Sequence, residues 1–270
     1  MPDLRQIAVQ MGFPAPEFII HLFVGGSEAH GAKVGKSDDL DLYGIYIPSP
    51  EQALGVTEYE PPETGQKRAK QPEHFVRSTA SDDRRNGPDD IDLILYSLRK
   101  WAGMAVSGNP TALHFLFTPN SAPSPEVWEG HIRPNLNAFL SSHAGFHFLE
   151  FAKHMLRTLK GEGVGKRGQR WDLIHEFGYD TKAAMHLIRV IGEGIELMRH
   201  GTITLPRPER DLLIAIRTGK YGTLADVEAV AQRGFAELES ARNLSKLPEN
   251  TDRERVSQVV AAAYLEQWGV

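Results

Sequence analysis

The sequence has no cysteine, no excess of positive charge and no long apolar run, and each absence excludes a class of protein. Without cysteine the chain forms neither disulfides nor thiolate zinc sites, and it has no cysteine nucleophile. A net charge of −5 argues against a large, uniformly basic nucleic-acid surface, although it allows a local one. No apolar segment approaches the ~20 residues that span a bilayer, and the N-terminus lacks the pattern of a signal peptide. We therefore expect a cytoplasmic protein.

The spacing of apolar residues divides the chain of 270 residues into two halves. Apolar runs of strand length lie at 18–24, 40–47 and 90–96, whereas the spacing from Ser97 onward is helical. Residues 118–134 contain four prolines, which makes them the best candidate for a linker. The order of elements predicts a half that contains a sheet, followed by a half that is all helical.

A glycine-serine turn followed by two aspartates is the most informative pattern in the chain. Gly26 and Ser27 follow the first predicted strand; glycine lets the backbone approach a ligand closely, and the serine hydroxyl can donate to a phosphate oxygen. Asp39 and Asp41 lie at the start of the second strand, where alternation places both carboxylates on one face. Such carboxylates bind Mg²⁺ together with substrate phosphates. The combination predicts chemistry on a nucleoside triphosphate, although an isolated Asp-x-Asp is more typical of a solvated turn.

The third predicted strand offers a further carboxylate. Alternation places Asp90 and Asp92 on the same face, together with Ile94 and Tyr96. The pattern therefore does not choose between the two aspartates, and either one alone is also typical of a water-exposed residue at the entry to a strand.

A long helix is predicted to begin after Asp180, which is a good N-cap. Lys182, His186, Arg189 and Glu193 recur along it at the spacing of one polar stripe, separate from the apolar stripe. Lys182 and Arg189 could thus reach the same ligand, about two turns apart. The alternative is an ordinary solvated face on which Arg189 pairs with Glu193.

Four other features have simpler interpretations. His21 lies in a buried strand and is expected to be structural. His30, just after the glycine-serine turn, could approach a phosphate, but it is expected to pack beside Gly31. Residues 28–36 are long enough for a short helix. The polar, proline-bearing stretch 57–89 is typical of a mobile loop or a lid. The basic residues between positions 153 and 170 form either a phosphate-facing patch or a solvated helix face; they are Lys153, Arg157, Lys160, Lys166, Arg167 and Arg170.

The turn Gly26-Ser27 with Asp39-x-Asp41 resembles the motif of the DNA polymerase beta-like nucleotidyltransferase superfamily. The segments that are similar to its RNA-ligase-associated (RlaP-type) branch are 39–48, 96–101, 108–110 and 179–189. The similarity extends from about residue 18 to 240. The family often has a basic residue just before the glycine at position 44, where this chain has Tyr43. We expect this difference to alter substrate contacts and to leave the metal site unaffected.

The resemblance implies an α+β fold, in which a polymerase-beta-like nucleotidyltransferase domain with a small mixed sheet (residues 1–125) is followed by a helical domain that completes the nucleotide cleft (residues 126–270). It implies that Asp39, Asp41 and Asp92 are the catalytic ligands of Mg²⁺ or Mn²⁺, with Asp90 as the alternative to Asp92. The nucleotide-binding residues that it implies are Gly26, Ser27, Tyr179, Lys182, His186 and Arg189.

The implied activity is transfer of a nucleotidyl group from an NTP, such as ATP, to an acceptor hydroxyl with release of pyrophosphate. The family name implies an association with RNA repair, and the acceptor could be an RNA end, a protein hydroxyl or a small molecule. One alternative is a non-catalytic nucleotide-binding or toxin-partner protein with the same cleft. Another is metal-dependent phosphohydrolysis, for which the sequence shows no obvious general-base histidine near the aspartates.

Overall fold

The computed structural model describes residues 4–35, 39–55, 73–80, 90–122, 125–162 and 170–270. Within these ranges the fold is α+β, as predicted, with one four-stranded mixed sheet and twelve α-helices. Among these helices, none combines the length and the apolar character needed to cross a bilayer.

The sheet has the strand order β1-β2-β4-β3. The strands are β1 (Ile19–Val24), β2 (Leu40–Tyr46), β3 (His74–Ser78) and β4 (Ile91–Ser97). β1 pairs with β2 and β3 pairs with β4 in antiparallel fashion, whereas β2 and β4 are parallel. The three predicted strands are confirmed, and the central pair β2–β4 places the starts of both strands at the same edge of the sheet.

Short helices surround the sheet in the first half: α1 (Leu4–Gln10), α2 (Gly26–Ala29), α3 (Pro50–Leu54), α4 (Leu98–Val106) and α5 (Pro110–His114), with 3-10 turns at Pro16–Phe18 and Phe115–Phe117. The expected helix over 28–36 is wrong in both bounds. α2 begins at Gly26 and ends at Ala29 because Gly31 adopts a positive φ of 68°, which stops the helix.

The second half is helical, as predicted. Its α-helices are α6 (Pro125–Val127), α7 (His143–Leu159), α8 (Trp171–Phe177), α9 (Thr181–His200), α10 (Arg210–Arg217), α11 (Leu224–Asn243) and α12 (Arg253–Trp268). A π-helical turn (Trp128–Ile132) and a 3-10 segment (Arg133–Phe139) lie between α6 and α7.

The prediction of a linker at 118–134 is wrong. Val127, Trp128 and Ile132 are buried, and the Trp128 ring stacks on His21 with 4.2 Å between ring centroids. Two of the prolines that suggested a break, Pro125 and Pro134, instead lie at the start of helical turns, where the missing N–H costs nothing.

Both faces of the sheet are covered, and they belong to different apolar clusters. One cluster joins the sheet to the helical half, since it contains Ile20 and Ile45 together with Ile188 and Leu238. The other packs α1 against the opposite face. Helix α9 contacts α7, α10 and α11, so its remaining face is the one turned toward the sheet half. The division of the chain into two domains at 125/126 stays a prediction.

Candidate active site

Three carboxylates converge at the edge of the sheet where β2 and β4 begin. Asp41 and Asp92 are register partners across these parallel strands, and Asp39 lies two residues before Asp41, on the same side. Each residue offers one oxygen, and the three oxygens lie within 4.8 Å of one another. All three residues are partly buried. The structure thus brings together the three predicted metal ligands, which we call the acidic cluster.

Asp90 lies outside the acidic cluster. Its Oδ1 accepts a hydrogen bond from the hydroxyl of Thr79 at 3.1 Å, and this hydroxyl in turn accepts from the N–H of Ile91 at 2.9 Å. Asp90 directly precedes β4, which begins at Ile91, and its side chain is engaged by Thr79 instead of joining the acidic cluster. Its carboxylate is buried against the chain that follows β3 and serves to hold the entry to β4.

The acidic cluster lies in a cleft of about 560 Å³, a volume within the usual range of small-molecule sites. Of the predicted site residues in the described part of the chain, those that line the cleft are Gly26, Asp39, Asp41, Asp92, Lys182, His186 and Arg189. Ser27 and Tyr179 do not line it. Helix α9 therefore forms one wall, and the sheet half with α5 forms the other.

The two glycines of the turn are required by close contacts to the site. Gly26 has a φ of 58°, and a Cβ on it would lie 2.0 Å from Oδ2 of Asp41. A Cβ on Gly25 would lie 2.3 Å from the ring of Tyr43. The N–H of Gly25 also donates to the carbonyl of Asp41 at 2.8 Å. These contacts hold the turn directly against the acidic cluster.

Two predicted nucleotide contacts lie elsewhere. Ser27 is in the first turn of α2, where its side chain is largely buried behind the glycines. Tyr179 is buried in the apolar core, and its hydroxyl donates to the carbonyl of Gly222 at 3.3 Å. Tyr179 directly precedes Asp180, the N-cap of α9. The nucleotide contacts of Ser27 and Tyr179 stay predictions.

Lys182 brings a cation to the acidic cluster. Its Nζ lies 3.9 Å from Oδ1 of Asp39, and its side chain is largely buried at the wall of the cleft. His186 follows one turn later on the same face. Burial, and then the charges of Arg189 and Lys182, hold the pKa of His186 well below its usual value, so it is neutral at physiological pH.

Arg189 and Glu193 form the pair that was considered as an alternative, but they do not form it on a solvated face. Nη1 of Arg189 donates to Oε1 of Glu193 at 2.8 Å, and Glu193 is only 2% exposed. The same nitrogen donates to Nε2 of His30 at 2.9 Å. The pair therefore lies at the inner end of the cleft, where both residues line it.

Sequence reasoning missed His114 and gave His30 a position near the phosphates only as its less favoured interpretation. His30, expected to pack beside Gly31, and His114, at the end of α5, both line the cleft, with their rings 4.7 Å apart. Burial and the nearby Arg189 hold the pKa of His30 far below its usual value, and burial with Arg189 and Arg207 lowers that of His114 to about 3. Both are thus neutral and weak bases. No local pattern marks residues that lie 84 positions apart in the chain.

An aromatic group forms the remainder of the sheet-side wall. Tyr43 stacks on Phe23 with 5.9 Å between ring centroids and meets the edge of Phe115 at 6.0 Å. Burial, and then the carboxylate of Asp41, raise the pKa of the Tyr43 phenol, so it stays protonated. The residue that departs from the family pattern thus lies in the cleft, and its predicted effect on substrate contacts stays a prediction.

Of the described basic residues between positions 153 and 170, Arg170 alone lines the cleft. Lys153 pairs with Glu150 at 3.0 Å, and Lys160 pairs with Glu228 at 3.0 Å. Arg170 lines the cleft and lies 3.4 Å from Oδ2 of Asp180. Lys166 and Arg167 lie outside the described residues, as does most of the predicted loop 57–89, of which 73–80 are described and contain β3.

Comparison with known proteins gives one match. No curated protein and no solved structure matches the chain significantly. Residues 2–261, nearly the entire sequence, match the RlaP family, which is described as the RNA repair pathway DNA polymerase beta family. The match covers both halves of the fold and all residues of the cleft described above. The chain therefore belongs to the RlaP family of polymerase-beta-like nucleotidyltransferases.

Proposed function

We propose that the protein is a metal-dependent nucleotidyltransferase that moves a nucleotidyl group from an NTP to an acceptor hydroxyl and releases pyrophosphate. The observation that carries the proposal is the acidic cluster, three carboxylates on neighbouring parallel strands, in a cleft with Lys182 on the opposite wall. Family membership supports the reaction class. The metal, the NTP and the acceptor are our inference.

The donor set of the acidic cluster fits a hard divalent cation. Three carboxylate oxygens within 4.8 Å of one another repel strongly when partly buried, and Mg²⁺ or Mn²⁺ prefers such oxygen ligands. Asp39 and Asp41 would hold two ions, and Asp92 would hold the one beside the acceptor. Bound there, the ions would lower the pKa of the acceptor hydroxyl and neutralise charge on the leaving pyrophosphate.

The residues of the chain orient the reactants. Lys182, beside Asp39, attracts the phosphates, and the glycine turn lets them approach the acidic cluster closely. The acceptor oxygen forms a bond to the α-phosphorus while the bond from that phosphorus to the bridging oxygen breaks. Pyrophosphate leaves with the electron pair, and the hydroxyl proton passes to a carboxylate of the cluster or to water. Positioning and charge stabilisation account for the rate.

We propose an RNA end as the acceptor. Phe151 lines the cleft and is 42% exposed, and Trp171, which follows Arg170 of the cleft, is 45% exposed. Proteins that bind single-stranded RNA use exposed aromatic rings to stack on unpaired bases and nearby cations to bind the RNA backbone. The RNA repair context of the family agrees with this choice.

The test replaces one carboxylate at a time and follows both products. With each α-labelled NTP, Mg²⁺ and total RNA, we expect Asp41→Asn and Asp92→Asn to lower pyrophosphate release and RNA labelling at least about 100-fold, because several kcal/mol of charge stabilisation are lost. Asp90→Asn should lower stability but retain transfer. Asp211→Asn is the surface control, since its side chain is 94% exposed.

Three results would contradict the proposal in different ways. If Asp92→Asn transferred nucleotide at the wild-type rate, the acidic cluster would not be required for the reaction. Nucleotide binding without pyrophosphate release by the wild-type protein would favour the non-catalytic alternative. Release of free nucleotide without label in any acceptor would favour phosphohydrolysis.

A further inference from the structure

Arg189, at the inner end of the cleft, carries hydrogen-bond donors that its neighbours do not use. A guanidinium has five N–H groups, and the bonds to Glu193 and His30 both come from Nη1. In the described part of the chain its Nη2 makes no hydrogen bond, and the side chain, which is 17% exposed, lines the cleft. Donors at the wall of a cleft suit a ligand that accepts hydrogen bonds.

The bond to His30 fixes the tautomer of this histidine. An arginine only donates, so Nε2 of His30 must accept, and the ring proton must be on Nδ1. Nδ1 lies 3.3 Å from Oε1 of Glu193, the oxygen that accepts from Arg189, without making a hydrogen bond in the described chain. His30 and Glu193 thus hold one edge of the guanidinium from two sides, and the other N–H groups keep a fixed direction.

The same residues also form a set that could bind a transition metal. His30, His114 and Glu193 each offer a donor atom within 4.8 Å of the others, and two imidazoles with a carboxylate suit such ions. However, Nη1 of Arg189 lies 2.9 Å from His30 and 2.8 Å from Glu193. An arginine does not deprotonate in proteins, so its charge already occupies the position of a cation.

The position of Arg189 along α9 suggests which ligand it takes. Lys182, beside the acidic cluster, is seven residues earlier on the same helix, so the two Cα atoms are about 10 Å apart along the axis. Lys182 and Arg189 line the same cleft. A nucleotide whose reacting phosphate lies at the acidic cluster would extend along α9 toward Arg189, where the free N–H groups match phosphate oxygens.

We propose that Glu193 and His30 are positioning residues that hold Arg189 as a phosphate-binding arginine at the inner end of the cleft. The inference rests on the proposed function, because it deepens the account of the same cleft. The role proposed for Glu193 is not one of charge, because its carboxylate reduces the net positive charge that a phosphate would meet. Its contribution is to fix the direction of the guanidinium.

That difference sets the choice of variants. Glu193→Gln and Glu193→Ala both remove the negative charge, but glutamine keeps an oxygen that accepts from Arg189 and alanine does not. Arg189→Ala would leave Glu193 buried without its cation and would destabilise the fold, so Arg189→Lys is the better variant. Glu237→Ala is the matched control, since it breaks an ion pair that α9 makes through Arg199 at the exposed surface.

Calorimetric titration with inorganic tripolyphosphate and Mg²⁺ measures the subsite without any transfer reaction. We expect Glu193→Gln and Glu237→Ala to bind at least as tightly as the wild-type protein. Glu193→Ala, His30→Ala and Arg189→Lys should bind at least about 10-fold more weakly, and in transfer assays they should raise KM more than they lower kcat. Adenosine binding should not change.

Three binding results would overturn the inference: equal affinity of Glu193→Ala and Glu193→Gln for tripolyphosphate, an affinity for adenosine alone that depends on Arg189, or no binding of tripolyphosphate by the wild-type protein. A fourth would be one equivalent of a transition metal in the purified wild-type protein that is absent from His114→Ala. These results are distinct from failure of the proposed function. If the variants change tripolyphosphate affinity as expected but no NTP supports transfer, the phosphate-binding role of Arg189 is supported and the proposed transfer reaction is wrong.

Discussion

Replacement of Gly26 by alanine tests how the turn and the acidic cluster depend on each other. The new Cβ would lie 2.0 Å from Oδ2 and 3.0 Å from the carboxyl carbon of Asp41. Carbon and oxygen atoms do not approach so closely, so the carboxylate must move by about 1 Å or more to restore a normal contact. Asp41 is the residue that pairs with Asp92 across the parallel strands, and its movement opens the acidic cluster.

Gly26→Ala is expected to reduce both stability and activity, and replacement of a second glycine, Gly35, separates the two effects. An L-residue at positive φ costs roughly 1–2 kcal/mol, and this cost applies equally to Gly35, whose φ is 65° and whose Cβ would meet no described atom within 4 Å. The second effect applies to Gly26 alone, since a misplacement of about 1 Å in a catalytic group can cost about 100-fold in rate.

Thermal unfolding and Mg²⁺-dependent pyrophosphate release distinguish the two effects. Gly35→Ala should lower the melting temperature by about 2–4 °C per kcal/mol and leave the specific activity of the folded protein unchanged. Gly26→Ala should lower the melting temperature by a similar or larger amount and also lower kcat about 100-fold. The reasoning is refuted if Gly26→Ala has the activity of Gly35→Ala, because the contact with Asp41 would then not matter.

Two further predictions concern residues outside the cleft. Tyr179→Phe removes one hydrogen bond to Gly222 and should lower the free energy of unfolding, measured in urea, by about 1 kcal/mol. The KM for NTP should not change, and a tenfold rise in KM would indicate that Tyr179 contacts the nucleotide. Burial, with the charge of Arg133, lowers the pKa of His21 from 6.5 to about 3, so between these values the unfolded chain binds a proton that the folded chain does not. The contribution of His21 to stability should therefore fall by up to about 1.4 kcal/mol per pH unit as the pH is lowered through this window, in addition to the contributions of the other buried histidines. His21→Gln should reduce the total slope by this amount, and an unchanged slope would contradict the assignment.

The elements that local pattern determines could be predicted from the sequence. The strands around Leu42 and Leu93 have the apolar content of buried strands, and the stripe of Lys182, His186 and Arg189 follows from the period of a helix. Asp39 and Asp41 needed only alternation to be placed together. These predictions depend on neighbours within a few residues, and there the sequence carries the information directly.

The residues that were misplaced depend on contacts between distant segments. Alternation could not separate Asp90 from Asp92, because the choice is made by the register of β4 against β2 and by the hydroxyl of Thr79. A helix stripe likewise shows which side chains share a face and not what that face meets. Arg189 and Glu193 had the spacing of an exposed ion pair, and only the structure shows that both meet His30, from a distant part of the chain, in the cleft.

The same dependence explains why the inner end of the cleft has the residues that it has. Nη1 of Arg189 donates to both Glu193 and His30, and Nη2 makes no hydrogen bond in the described chain. Because the histidine is neutral, it adds an acceptor without adding charge. The sheet-side wall of the cleft carries the acidic cluster, and the opposite wall, α9, carries Lys182 beside that cluster and Arg189 about 10 Å further along its axis. In the proposed function the acidic cluster would hold the metal, and Arg189 would donate to the phosphates. A metal-bound nucleotide needs both, at opposite ends of its phosphate chain.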